Sequence, residues 1–204
     1  MLAATSKNLT VTGCATHALS TRISAGPGLP KGGKFTGNGQ DRILLPGLNG
    51  TDDPPTGTIP NLGVPYYVTG VLNIGGGGDV TIEPGTEFMF ISGVPAGMNV
   101  GWNGNKTKLV AQGTAAAPII FRGEKDGLGT WTGVEFGGAA STESKLDHVD
   151  FRNAGVKTDA AITITNSSFS PSADFAILKQ EDNPTDYAAT NTFSGNAKGN
   201  VGMK

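Results

Sequence analysis

Val80-Thr81-Ile82-Glu83-Pro84-Gly85-Thr86-Glu87-Phe88-Met89-Phe90 holds two short β-prone runs joined by residues that turn the chain. Pro84 fixes its own φ and Gly85 can take a positive φ, so Glu83–Thr86 predicts a compact corner between two strands. Within the runs, Val80 and Ile82 share one face, as do Phe88 and Phe90, because side chains alternate along a strand. The stretch therefore reads as strand, corner, strand, with one apolar side.

The same pattern recurs outward from it. Val71–Ile74, Lys108–Ala111, Ile119–Phe121, Val134–Phe136, Leu146–Phe151, Ile162–Ile164 and Phe175–Leu178 are further β-prone runs, separated by Gly, Pro, Asn and Asp. No stretch sustains apolar spacing of three and four residues, so helix is nearly absent from the expectation. A sandwich of antiparallel hairpins would show the same alternation. Two features favour a coil of stacked strands: two-residue hairpin signals seldom join adjacent runs, and the links vary in length. A solenoid tolerates such links because they project from its corners. The expected core is Val80, Ile82, Phe88, Phe90, Leu109, Ile119, Phe121, Val134, Phe136, Ile162, Ile164 and Ile177.

The string Val80–Thr86 with Phe88-Met89-Phe90 resembles the opening rungs of bacterial surface β-helix proteins of the pectate-lyase-like superfamily. The resemblance continues through Leu109-Val110-Ala111-Gln112-Gly113-Thr114, Pro118–Phe121, Gly129-Thr130-Trp131-Thr132-Gly133-Val134-Glu135-Phe136 and Ser144–Val149, and covers roughly residues 66–204. It implies an all-β chain folded as a right-handed parallel β-helix (a solenoid), a single domain with long loops. In that frame Gly113 serves a second corner and Trp131 covers a corner of the apolar interior.

Residues 1–204 then form one β-helix domain. The main coils run over 68–204, and residues 49–67, which overlap the Pro-rich stretch Pro46–Pro65 and end on Tyr66 and Tyr67, form a loop lying over the barrel. Residues 1–48 supply the first coils, repeat-like to 158–204. Phe35-Thr36-Gly37-Asn38 matches Phe193-Ser194-Gly195-Asn196, and at the same offset Ile43 meets Val201 and Leu45 meets Met203. Val11-Thr12 matches Ile164-Thr165, and Ile23 matches Ile177. Chance similarity in a Gly- and Thr-rich chain is the competing explanation.

Composition agrees with a chain that turns often: 32 Gly and 12 Pro in 204 residues, with 16% charged and 37% apolar residues. Disorder is the rival reading of such a bias, and the recurrent apolar runs argue against it. The net charge of −2 and the lack of Lys/Arg runs give no support to a nucleic-acid surface. Apolar stretches fall far short of the about 20 residues of a membrane span. Residues 1–15 lack the charged start and apolar block of a signal peptide, so a leader was removed before this numbering or export uses another route. Cys14 is the single cysteine, read as a buried structural thiol; His17 is the one nearby base that could activate it.

Leu146–Arg152 is the best place to seek catalysis. Lyases of the resembling families use Asp side chains to hold calcium against a sugar carboxylate and a basic residue to abstract the adjacent proton. If Phe151 points inward, Asp150 and Arg152 share the outer face about 6–7 Å apart, with Asp147 and His148 close by. The larger carboxylate and basic set of those enzymes has no match here, and an ordinary solvated strand face explains the pair. His148 alternates with Leu146 and fits a hydrogen-bonded core edge better than a general base. With His17 it completes the histidines, which excludes a multi-His metal site.

Glu181-Asp182-Asn183 with Asp186 could ligate calcium from a loop but lacks the spacing of a known calcium loop. Gly75–Gly78 reads as a wide turn, not a phosphate cradle, because no Lys-Ser/Thr pair follows it. Asn8, Asn49, Asn105 and Asn166 begin Asn-x-Ser/Thr triplets, which chance supplies in a Thr-rich chain. Trp102, in a Gly-rich loop, is the candidate exposed aromatic for stacking on a sugar or partner; a ring folded onto the coil is the other reading.

The sequence asks for no cofactor. Two function classes remain. One is a non-catalytic extracellular or cell-surface protein, an adhesin, spacer or filament subunit. The other is a calcium-dependent polysaccharide lyase or glycoside hydrolase on the same fold. The missing catalytic set and the similar ends favour the first. Similar, uncapped ends also predict head-to-tail stacking, between chains or between repeats of a longer precursor.

Overall fold

The computed structural model describes residues 7–47, 54–102 and 104–204. Strands β1–β7 are His17–Ser20, Gln40–Leu45, Thr56–Ile59, Tyr66–Val68, Val71–Ile74, Asp79–Ile82 and Glu87–Phe90. Strands β8–β13 are Gly97–Val100, Lys108–Gln112, Ile119–Gly123, Val134–Phe136, Lys145–Asp147 and Val149–Arg152. Strands β14–β19 are Val156–Thr158, Thr163–Thr165, Ser168–Phe169, Phe175–Lys179, Thr192–Phe193 and Gly199–Met203. A 3-10 turn, Ile23–Gly28, is the helical element among the described residues.

These strands form three sheets in which every pairing is parallel. The first runs β1-β2-β4-β7-β10-β13-β16-β18, the second β19-β17-β14-β11-β8-β5 and the third β15-β12-β9-β6-β3. From β4 to β17 the chain visits first, second and third sheet in strict rotation. The result is a β-solenoid-like winding with three faces. All twelve residues of the expected core are buried.

In-register pairing stacks like on like. Tyr66, Phe88, Phe121, Phe151, Phe169 and Phe193 are successive register partners on the first sheet, and their ring centroids lie 5.2, 5.3, 5.1, 5.0 and 5.5 Å apart. That is close to the about 4.8 Å strand spacing, so the column is a direct product of register. Trp131 lies on Phe90 at 4.1 Å and its Nε1 donates to Arg152 O at 2.8 Å, covering a corner as expected.

The corner from third to first sheet repeats along the stack. At Glu83–Thr86, Gly85 takes φ +75° and Thr86 Oγ1 donates to Glu83 O at 2.7 Å. At the next turn, a Cβ on Gly113 would lie 2.5 Å from His148 O, so glycine is required by close approach. His148 and Asn166 occupy the following two corners, each with φ 51°.

Three expectations need correction. The Pro-rich segment does not lie over the barrel as a loop: its described part contains β3, paired to β6, and leads into β4. The alternating Thr56-Gly57-Thr58-Ile59 buries Ile59 in the third sheet, while Pro54, Pro55, Pro60 and Pro65 lie outside the strands, where a missing N–H breaks no ladder bond. Residues 48–53 lie outside the described residues. The run Leu146–Phe151 is not one strand, because the left-handed backbone of His148 turns the chain from β12 in the third sheet into β13 in the first. The matched ends are not equivalent coils: Ile43 and Leu45 lie in β2 of the first sheet, Val201 and Met203 in β19 of the second. What recurs is a corner. Gly37 and Gly195 both take positive φ, and Asn38 and Asn196 both reach back to a carbonyl of the preceding turn, Val11 O and Phe169 O.

The third sheet is flanked at both edges. Gly26 of the 3-10 turn packs on Ile59 of β3. Beside β15, Tyr187 OH donates to Ile162 O at 3.0 Å, and Thr190 Oγ1 and Asn191 Nδ2 donate to Ile164 O at 3.3 and 2.9 Å.

Candidate functional site

The outer face of the first sheet carries the residues singled out for catalysis. Phe151 is buried and points inward, which turns Asp150 and Arg152 outward together. They bond to each other: Arg152 Nε donates to Asp150 Oδ2 at 2.8 Å. Ser168 Oγ, on the register-paired strand β16, donates to Asp150 Oδ1 at 2.9 Å. Both carboxylate oxygens are thus engaged. On the adjacent strand β10, Arg122 Nε donates across to Glu87 Oε1 of β7 at 2.6 Å.

Asp147 belongs elsewhere. It is buried, at the corner from third to first sheet, and not on the open face with Asp150. Its Oδ1 accepts from Asn166 Nδ2 at 2.9 Å and Thr165 Oγ1 at 3.1 Å, and lies 3.1 Å from His148 Nδ1. Lys145 Nζ lies 3.1 Å from Oδ2, and Gln112 Nε2 reaches it at 3.4 Å. Burial pushes this carboxyl up. Hydrogen bonds from Asn166, Lys145 and Thr165, with the Lys145 charge, outweigh it and hold the pKa down to about 2. His148, half-buried, is fixed by Asp147 at a corner, not on a strand's core edge.

A second polar group on the same sheet escaped the sequence reading. Arg42 on β2 donates to His17 Nδ1 at 3.1 Å and to Gln40 Oε1 at 2.7 Å, and its guanidinium lies 3.4 Å over the Tyr67 ring. Glu124 accepts from Tyr67 OH at 3.0 Å and faces Arg42 at 3.6 Å. Residues 17, 42, 67 and 124 meet only through the register of β1, β2, β4, β7 and β10, with Glu124 just past the end of β10, and no local motif announces that.

The remaining candidates fall as follows. Trp102 is 56% exposed, so its ring is open to solvent, and its Cδ1 lies beside Gly137. Asn183 donates to Tyr187 OH and Ala160 O, while Lys179 Nζ occupies the carbonyls of Asn183 and Thr185 at 2.8 and 2.7 Å. An ammonium therefore already fills the loop offered for calcium. Among the described residues, no three of His, Cys, Asp and Glu converge to hold a metal ion. Gly75–Gly78 is a turn closed by Gly78 N to Gly75 O at 3.1 Å. Cys14 is half-buried, not buried, and His17 Nδ1 is bonded to Arg42 instead of facing the thiol as its base.

Of the triplet asparagines, Asn166 is bound to Asp147 and Asn105 to Gly76 O, Asn8 takes φ 56°, and Asn49 lies outside the described residues. A surface concavity lined by Trp131, Lys157, Asp174, Phe175 and Leu178 has a volume of about 140 Å³. That is below the about 300 Å³ at which small-molecule sites begin. No described helix is long and apolar enough to cross a membrane. Compared with family models, curated proteins and solved structures, the chain matches none of them.

Proposed function

We propose that this chain is a right-handed parallel β-helix of the pectate-lyase-like kind that serves as a non-catalytic extracellular or cell-surface scaffold. The observation that carries the reading is Asp150. The acid best placed for calcium binding or proton transfer on an outer face has both oxygens bonded within the fold, to Arg152 and Ser168. A side chain so engaged stiffens the face instead of meeting substrate. The aromatic column behind it supports the same role, since stacked rings along successive strands make a rigid rod. Trp102, on a corner of that rod, is the aromatic that contacts a polysaccharide or protein partner.

Edge strands β1, β18, β19 and β5 offer backbone for end-to-end continuation, between chains or between repeats of a longer one. The experiment incubates the purified protein with acidic polysaccharides and calcium, then images it by electron microscopy over a concentration series. Rods that lengthen with concentration, and no sugar cleavage, are expected. Cleavage that disappears in a folded Asp150→Ala variant would instead establish the lyase or hydrolase reading.

A further inference from the structure

Strand β1 is the edge of the first sheet, and its pairing with β2 is irregular: the register shifts between His17 and Leu19. Backbone bonds flank the shift, Gln40 N to Thr16 O at 2.8 Å and Thr21 N to Leu44 O at 3.0 Å, so the ladder is paired at both ends of β1 and interrupted between them. The side-chain tie is His17 Nδ1 to Arg42 Nε at 3.1 Å. A guanidinium nitrogen can only donate, so Nδ1 must be the unprotonated, accepting nitrogen of a neutral ring. Protonation removes that acceptor and sets a second positive charge against Arg42.

The surroundings offer that charge no compensation. From β2 the group facing His17 is Arg42, whose side chain is 14% exposed and so is poorly screened. From β4 it is Tyr67, with ring centroids 6.0 Å apart, and Tyr67 OH donates to Glu124. From the end of β10 it is Glu124, engaged by Tyr67 and Arg42. Asp41, next to Arg42 in sequence, accepts from the Gly37 and Asn38 backbone. Burial first and Arg42 second hold the His17 pKa below its ordinary 6.5.

We propose that His17 is a pH-sensitive latch: neutral, it fastens edge strand β1 to the stack through Arg42; protonated, it loosens β1, which then opens more often from the hydrogen-bonding edge of β2. The sign follows from the depressed folded value. The fastening is fully present above pH 6.5 and is lost as pH falls below it through the folded pKa. The latch stands whether or not the molecule is a scaffold.

Hydrogen exchange tests it on the whole chain, as protection factors for residues 17–20 against residues 149–152 at pH 7.5 and 5.5. Protection of β1 should fall about 3–10-fold at the lower pH while β13 holds. In His17→Gln, which keeps an acceptor but cannot titrate, β1 should show no step. No step in the natural chain, or the same step in His17→Gln, overturns the latch. Ring titration by NMR keeps the test decisive if that variant misfolds. His17 should titrate below 6.5 and move up in Arg42→Gln; a value at or above 6.5 in the natural chain overturns the proposal.

Discussion

The two faces of the first sheet use one register for different ends. Inward, Tyr66, Phe88, Phe121, Phe151 and Phe169 put an aromatic ring at every step, each stacked on the last. Outward, the same strands carry Glu87 with Arg122, then Asp150 with Arg152 and Ser168, a series in which arginine alone recurs, at the register partners Arg122 and Arg152. Repetition on the inside sets the pairing. The outside is then free to vary, and polar contacts there follow from the register instead of making it. Asp147 stands between the two, a charged group built into a corner and tied to β9, β12 and β15 by the same alignment.

The strongest way to break the contrast is from within. Phe121→Ala removes a fully buried ring with a stacked neighbour on either side and should cost about 3–5 kcal/mol by denaturant unfolding. Phe193→Ala, at the half-buried end of the column, should cost clearly less. Equal costs would mean that stacking along the column does not carry the stability.

Asp147→Ala should come next, at about 2–4 kcal/mol, because it leaves Lys145, Thr165 and Asn166 without their acceptor. Its folded pKa of about 2 lies below the ordinary 3.8, so its contribution is complete above pH 3.8 and disappears as pH falls through about 2. Asp147→Asn should flatten that part of the acid-unfolding profile, read by circular dichroism between pH 4 and 2. An unchanged profile would move the acid sensitivity to other carboxylates.

The smallest effects belong to the outer face. Asp150→Ala and Arg152→Ala should change stability by no more than about 0.5–1 kcal/mol, since exposed ion pairs contribute little. Trp102→Ala should leave unfolding unchanged and weaken retention on a polysaccharide matrix.

The same contrast explains what the sequence disclosed. The expected runs at 71–74, 80–82, 87–91, 108–111, 119–121, 134–136 and 175–178 coincide with β5, β6, β7, β9, β10, β11 and β17 to within a residue or two at either end. They were legible because their inward residues are large and apolar. Gly97–Val100 and Val156–Thr158 were not, since Gly and Lys dilute the signal and the strands form by pairing between stronger neighbours. Proline misdirected the reading of Thr56–Ile59, where it flanks a strand instead of excluding one.

At the site, the outward pairing of Asp150 with Arg152 followed from alternation. The burial of Asp147 did not, because it depends on Gln112 and Thr165 being its register partners. His17 with Arg42 was hidden for the same reason, made worse by the register shift in β1.

The central claim is that parallel, in-register pairing builds the aromatic column. Ring-to-ring NOEs in a sample with labelled Phe and Tyr test it most directly. The account predicts contacts between Tyr66 and Phe88, Phe88 and Phe121, Phe121 and Phe151, and Phe151 and Phe169, with none skipping a ring. Contacts between Phe88 and Phe151, or a column in any other order, would contradict it.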